Sequence, residues 1–252
     1  MTYITIYQNG RLGNLLFQII SMWAYAKKYN IIPVLDISFI NNKYYNIFFK
    51  SIQLIDLSTI NFIKYECDLY SCIIDNIFNN NNILLIGYLQ NAYNFDIYRN
   101  DILSTFFNNE ESNENNNFFI HIRLCDFLTS SLHNIDLDNY YHTAIKYIIN
   151  KYDVNLYNFF IISDDIHNAY KKIYLEILPN KIFIDNTIYN EINTLDIFKK
   201  CYMGGIIGNS TYAWWGAYII KNPNKLIICP NKFVNKDYDF SGLCFNYHII
   251  DI

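Results

Sequence analysis

The chain has 252 residues, enough for one large domain or two compact ones, and a hydrophobic content of 52% excludes general disorder. Nineteen basic residues against 23 acidic give a formal charge of -4 with no Lys/Arg cluster, which argues against a nucleic-acid partner. Six scattered cysteines (Cys67, Cys72, Cys125, Cys201, Cys229, Cys244) include no CxxC pair, so neither a zinc knuckle nor a secreted disulfide scaffold is indicated. From the amino terminus, residues 3–7 read as a strand, Asn9-Gly10-Arg11-Leu12-Gly13 as a turn, 14–29 as a helix and 33–35 as a second strand, together a βαβ unit. Residues 41–77 are ambiguous between helix and irregular structure. A further strand at 83–86 follows the Asn79–Asn82 tract and ends in Gly87-Tyr88-Leu89-Gln90, and 94–103 reads as a helix.

Residues 108–117, NNEESNENNN, contain no hydrophobic side chain and cannot join a core. They divide the chain into a first domain at 1–107, a linker at 108–117 and a second domain at 118–252. In the second domain, strands at 118–123, 158–163, 181–184, 205–208 and 225–228 alternate with helices at 138–151, 165–178, 190–201 and 211–221. That alternation predicts a parallel sheet covered on both faces, hence an α/β fold of two Rossmann-like halves with a small-molecule cleft between them.

The most apolar helical stretch, residues 15–26, is interrupted by Gln18 and Ser21 and is shorter than the ~20 residues a membrane span needs. No basic n-region with a following apolar stretch marks a signal peptide, so a soluble, cytoplasmic protein is expected.

Polar clusters fall at the carboxyl ends of the predicted strands, the edge where open α/β sheets bind ligands. Phe118 to Asp126, FFIHIRLCD, delivers His121, Arg123 and Asp126 there. A guanidinium fork suits a phosphate or carboxylate; equally, Arg123 could pair with Asp126 or another acid in a structural bridge. Asp164 and Asp165 suit ribose hydroxyls or a helix cap. Asn209, Ser210 and Thr211 either receive a phosphate or form an ordinary N-cap. Arg11 and Asn14 either hold an anion or accompany a simple glycine turn. The DxD pairs Asp136/Asp138 and Asp237/Asp239 are weak metal candidates, Asp138 reading more naturally as a helix cap. His133, His142, His167 and His248 read as surface or packing residues. No full GxGxxG or P-loop is present.

Taken together and in order, GRLGN with LLFQ, IHIRLCD, ISDD and GNSTYAWWGA resemble the α-1,2-fucosyltransferase family, which usually shows GRLGNQ-FQ, HIRRGD, SDD and NSSFSWWGA. Gly87-Tyr88-Leu89-Gln90, Tyr140-Tyr141 with Ala144-Ile145, and Asp196 ahead of Cys201 extend the resemblance nearly end to end. It implies a GT-B-like, inverting, metal-independent transferase that moves fucose from GDP-fucose to the 2-hydroxyl of a galactoside in a glycan, with no cofactor beyond the donor. On that resemblance Arg123, supported by His121, would meet the donor pyrophosphate. Asp164, Asp165 and Asp196 would recognise the nucleoside, and Asn209, Ser210 and Thr211 the phosphate. Arg11 and Asn14 would face the cleft, and Asp126 would either be the nearest candidate base or orient Arg123 while water or a donor phosphate oxygen takes the proton late. Leu124 replaces the family's second arginine, Cys125 a glycine and Leu15 a glutamine. A missing charge-assisted bond weakens donor binding by roughly 1.5–3 kcal/mol unless another cation compensates. These departures keep two alternatives in view: a transferase using another nucleotide sugar, and a nucleotide-sugar-binding module without transfer activity.

Overall fold

The computed structural model describes residues 1–68, 70, 72–77, 80–108, 114–185, 187–244 and 246–252. The chain forms two compact units, Met1–Glu110 with Ser241–Leu243, and Glu111–Phe240 with Cys244–Ile252. Of the predicted linker at 108–117, residues 109–113 lie outside the described residues, as does Asn79 of the Asn79–Asn82 tract.

The first unit holds a parallel sheet in the order β3-β2-β1-β5-β4. Its strands are β1 (Tyr3–Ile6), β2 (Ile32–Asp36), β3 (Gln53–Ile55), β4 (Ile63–Glu66) and β5 (Ile83–Ile86). Helix α1 (Leu12–Tyr29) is buried on most sides, so its two polar interruptions must be satisfied internally. They are, and by the same turn. Gln18 accepts from the Asn9 amide at 3.2 Å and donates to the Gly87 carbonyl at 3.0 Å, while the Ser21 hydroxyl reaches the Leu89 carbonyl at 3.4 Å. The residues that break the apolar run in the sequence therefore fix the loop after β5. The predicted helix at 94–103 becomes two 3-10 turns followed by α2 (Arg99–Phe106). The ambiguous region 41–77 supplies both edge strands, β3 and β4.

The second unit carries six parallel strands in the order β11-β10-β9-β6-β7-β8. These are β6 (Asn117–Ile122), β7 (Asn158–Ser163), β8 (Lys181–Ile184), β9 (Gly204–Ile206), β10 (Leu226–Pro230) and β11 (His248–Ile250). Strand β6 is buried on both faces, as expected for a central parallel strand. Its Phe118, Ile120 and Ile122 pack in one core with Tyr140, Tyr141, Ala144, Ile145 and Ile148 of α3 (Asp138–Lys151). On the other face Phe119 meets Phe198 of α5 (Glu191–Lys199) edge-on, with centroids 4.8 Å apart.

The predicted helix at 165–178 is corrected to one turn of α4 (Ile166–Ala169) and a 3-10 turn at Ile173–Leu175. The broken path buries Ala169, Tyr174, Leu175 and Leu178 while leaving Tyr170 and Ile173 in solvent, a set that no single helical face contains. The chain continues through α6 (Thr211–Ile219), with Trp214 and Trp215 fully buried, and ends with α7 (Ser241–Cys244) and β11. Among the described residues no helix is long and apolar enough to cross a membrane.

Candidate functional site

Each sheet has one point at which successive strands begin to be added on the opposite side. In the second unit this lies between β6 and β9, and in the first between β1 and β5. Ligands of open α/β sheets bind outside the carboxyl ends of the strands at such points.

Arg123 follows β6 at that edge of the second unit. Its guanidinium bridges two acids: Nη2 contacts Asp126 Oδ1 at 2.5 Å and Nη1 contacts Asp164 Oδ2 at 3.1 Å. The cationic carbon lies 5.0 Å from the Phe127 ring centre, and Nε is buried without a hydrogen-bond partner among the described residues. Asp164, at the end of β7, also accepts from the Leu124 amide at 2.8 Å, so it holds both the arginine and the turn that carries it. Asp126 is nearly half exposed, and its hold on Arg123 is correspondingly screened. The internal ion pair admitted by the sequence is therefore present.

His121 is buried and its Nδ1 has no hydrogen-bond partner among the described residues. Burial, and then the neighbouring Arg123 charge, lower its pKa to about 3, so the imidazole is neutral at ordinary pH. Its carbonyl accepts from the buried Tyr141 hydroxyl at 2.8 Å. A Cβ on Gly208, which follows β9, would fall 2.5 Å from that same hydroxyl, so glycine lets β9 run on close beside β6.

The remaining expected residues fall into structural roles as well as site positions. Asp165 caps α4, accepting from the Asn168 amide at 3.0 Å, and that bond holds its carboxyl below the usual range. Ser210 caps α6 by accepting from the Ala213 amide at 3.4 Å, and Thr211 is the first residue of that helix. Asn209 donates to the carbonyls of His133 and Phe233, tying two loops to the end of β9. Asp196 stands on α5, exposed, paired with Lys199 at 2.9 Å. Asp138 does not cap α3: the helix begins one residue earlier than a cap at 138 requires, and Asp136 instead accepts from the Asp138 amide at 3.0 Å. The Asp138 carboxylate, in the first turn where the helix dipole favours it, pairs with Lys172 at 2.7 Å. Asp237 is exposed and pairs with Lys232. Among the described residues no three His, Cys, Asp or Glu side chains converge as a metal site.

In the first unit Gly10 takes φ +87°, and a Cβ there would overlap the Asn14 side chain. Glycine thus lets the turn after β1 close over Asn14, whose Oδ1 accepts from Gln90 Nε2 at 2.9 Å. Arg11 precedes α1 with its side chain in solvent. The Gln90 partner was visible in the sequence only as part of Gly87-Tyr88-Leu89-Gln90, without a role. Lys172 and Tyr174 were missed entirely. They line a cavity of about 250 Å³ beside Arg123, together with Phe127, His133 and Tyr141.

No family model matches the chain. It is 29% identical over 174 residues to the O-antigen biosynthesis glycosyltransferase WbnK of Escherichia coli, covering 61% of this chain and 56% of that protein. It is 28% identical over 131 residues to an alpha-1,2-colitosyltransferase of Escherichia coli, covering 48% of this chain and 42% of that protein. Both of these relatives are glycosyltransferases by name, and the chain is similar to each at modest identity. The chain spans about half the length of the curated relatives it matches. Against the α-1,2-fucosyltransferase-like pattern, the Leu124 side chain is buried in the apolar core between β6 and α3, where a second arginine could not remain without a partner.

Proposed function

We propose that this protein is an inverting glycosyltransferase that moves fucose from GDP-fucose to the 2-hydroxyl of a terminal galactoside or related sugar, with the two units forming a GT-B-like pair. The observation that carries the reading is the gathering of Arg123, His121, Asp164 and the start of α6 at the strand-order reversal of the second sheet. Similarity to an alpha-1,2-colitosyltransferase supports the α-1,2 linkage in this reading.

Arg123 is the group suited to the negative charge that builds on the departing diphosphate. Asp126 and Asp164 pair with it in the structure. A diphosphate arriving at the guanidinium displaces the more exposed partner, Asp126, while Asp164 keeps the fork in place. The released Asp126 carboxylate is then available to take the proton of the acceptor hydroxyl as it attacks the anomeric carbon from the face opposite GDP. The donor thereby switches on its own base. Neutral His121 adds no charge and serves as a hydrogen-bonding group beside the arginine. Asp164 and Asp196 are assigned to the nucleoside, Ser210 and Thr211 to phosphate, and Arg11 and Asn14 to the acceptor side.

A second reading, a donor other than GDP-fucose, is favoured by the colitosyl specificity in the name of one relative and by Leu124 and Cys125. Purified protein incubated with a panel of GDP-sugars and short galactoside acceptors distinguishes the readings. Transfer of fucose alone supports the first, transfer of another sugar the second, and donor binding without any transfer contradicts both.

A further inference from the structure

The cavity beside Arg123 lies wholly within the second unit, and its chemistry points to a specific class of occupant. Its lining includes Arg123 and the Phe127 ring, which is stacked on His133 with centroids 4.6 Å apart and planes at 26°. Lys172, Asp136 and Asp138 line it as well, with Tyr174 stacked on Tyr141 at 5.1 Å. The Tyr174 hydroxyl is buried and has no hydrogen-bond partner among the described residues, a state that buried polar groups rarely keep.

Charge decides between the possible ligands. Lys172 is neutralised by Asp138 at 2.7 Å, Asp136 adds a further carboxylate, and Arg123 already carries two acidic partners. Lys172 thus offers no surplus positive charge, and a second phosphate is a poor occupant. A neutral ring bearing several hydroxyls fits better: its hydroxyls donate to Asp136 and Asp138 and accept from Lys172, while its apolar face meets the aromatic side chains among the cavity lining.

We propose that this cavity is a pyranose subsite, with Lys172 and Asp136 as its hydroxyl-binding residues. The assignment deepens the transferase reading and rests on it for its biological meaning. The sugar is either the transferred unit of the donor or a unit of the acceptor glycan, and the chemistry of recognition is common to both.

The test uses the full chain, titrated by NMR with methyl α-L-fucopyranoside, methyl β-D-galactopyranoside and, separately, GDP. The expected result is that one glycoside binds and that Lys172→Met weakens it by about tenfold or more while GDP affinity changes by less than about twofold. Asp136→Asn, at a partly solvent-facing position, is expected to act in the same direction and covers the case in which Lys172→Met does not fold. Preference for the fucoside assigns the subsite to the donor sugar, and preference for the galactoside to the acceptor. Binding of GDP with no binding of either glycoside overturns the subsite, as does glycoside binding insensitive to both substitutions. Failure of GDP to bind, with glycoside binding that responds to Lys172→Met, removes the GDP-sugar reading and leaves the subsite standing.

Discussion

Asp126 and Asp164 hold the same guanidinium, yet the account gives them different fates, and substitution separates them. Replacing Asp126 with Asn removes a competitor for Arg123 worth about 0–1 kcal/mol, so GDP is expected to bind up to about fivefold more tightly. The same change removes the proposed base, and transfer is expected to fall by at least about 100-fold. Titration calorimetry and turnover measured on one preparation check both, and an Asp126→Asn enzyme with unchanged turnover would confine Asp126 to orienting the arginine. His121 makes a separate prediction through pH. Its folded-state pKa of about 3 lies below the ordinary value of 6.5, so between these pH values the unfolded chain binds a proton that the native one excludes. Stability contributed by the neutral ring is complete above pH 6.5 and declines as pH falls toward 3, by about 1.4 kcal/mol per unit at most. Denaturant titrations from pH 7 to 4 should show that slope, and His121→Gln should flatten it.

At the level of elements, the close approach of β9 to β6 is the most sensitive feature. Gly208→Ala places a methyl 2.5 Å from the Tyr141 hydroxyl, breaking its bond to the His121 carbonyl or moving the end of β9. Transfer is expected to drop sharply, with a smaller loss of stability; full activity in this variant would show that the two strand ends are not coupled. Ser210→Ala, by contrast, removes a long cap bond and should cost about 0.5–1 kcal/mol in thermal or chemical denaturation.

The same contrast explains what the sequence revealed about the elements. Buried central strands such as β6 and β7 announced themselves as apolar runs, and their carboxyl ends located His121, Arg123 and Asp164. The strands that escaped notice, β3, β4 and β11, are all sheet edges, which bury less and so lack a strong pattern. Lys172 and Tyr174 escaped for a different reason. They lie in a segment whose apolar spacing suggested one helix, and only the break after Ala169 brings them to the cavity. Asp138 was read as a cap because a carboxylate at a helix start usually is one, whereas Lys172, distant in sequence, claims it instead.

At the scale of the whole molecule, two parallel sheets each bring a polar cluster to the point where strand order reverses, one carrying Gly10, Asn14 and Gln90, the other Arg123 and its acids. The proposed chemistry draws its charge stabilisation from Arg123, so transfer should persist when EDTA is added. A strict divalent-cation requirement would contradict this and return attention to Asp136 and Asp138. The central claim is that Arg123 exchanges a carboxylate for the donor diphosphate. Calorimetric titration of GDP into wild type and Arg123→Ala, with folding checked by circular dichroism, tests it most directly. The account predicts that the alanine variant binds GDP more weakly by at least about tenfold, the loss expected for a charged hydrogen-bond donor. Equal affinity in the two proteins would contradict it.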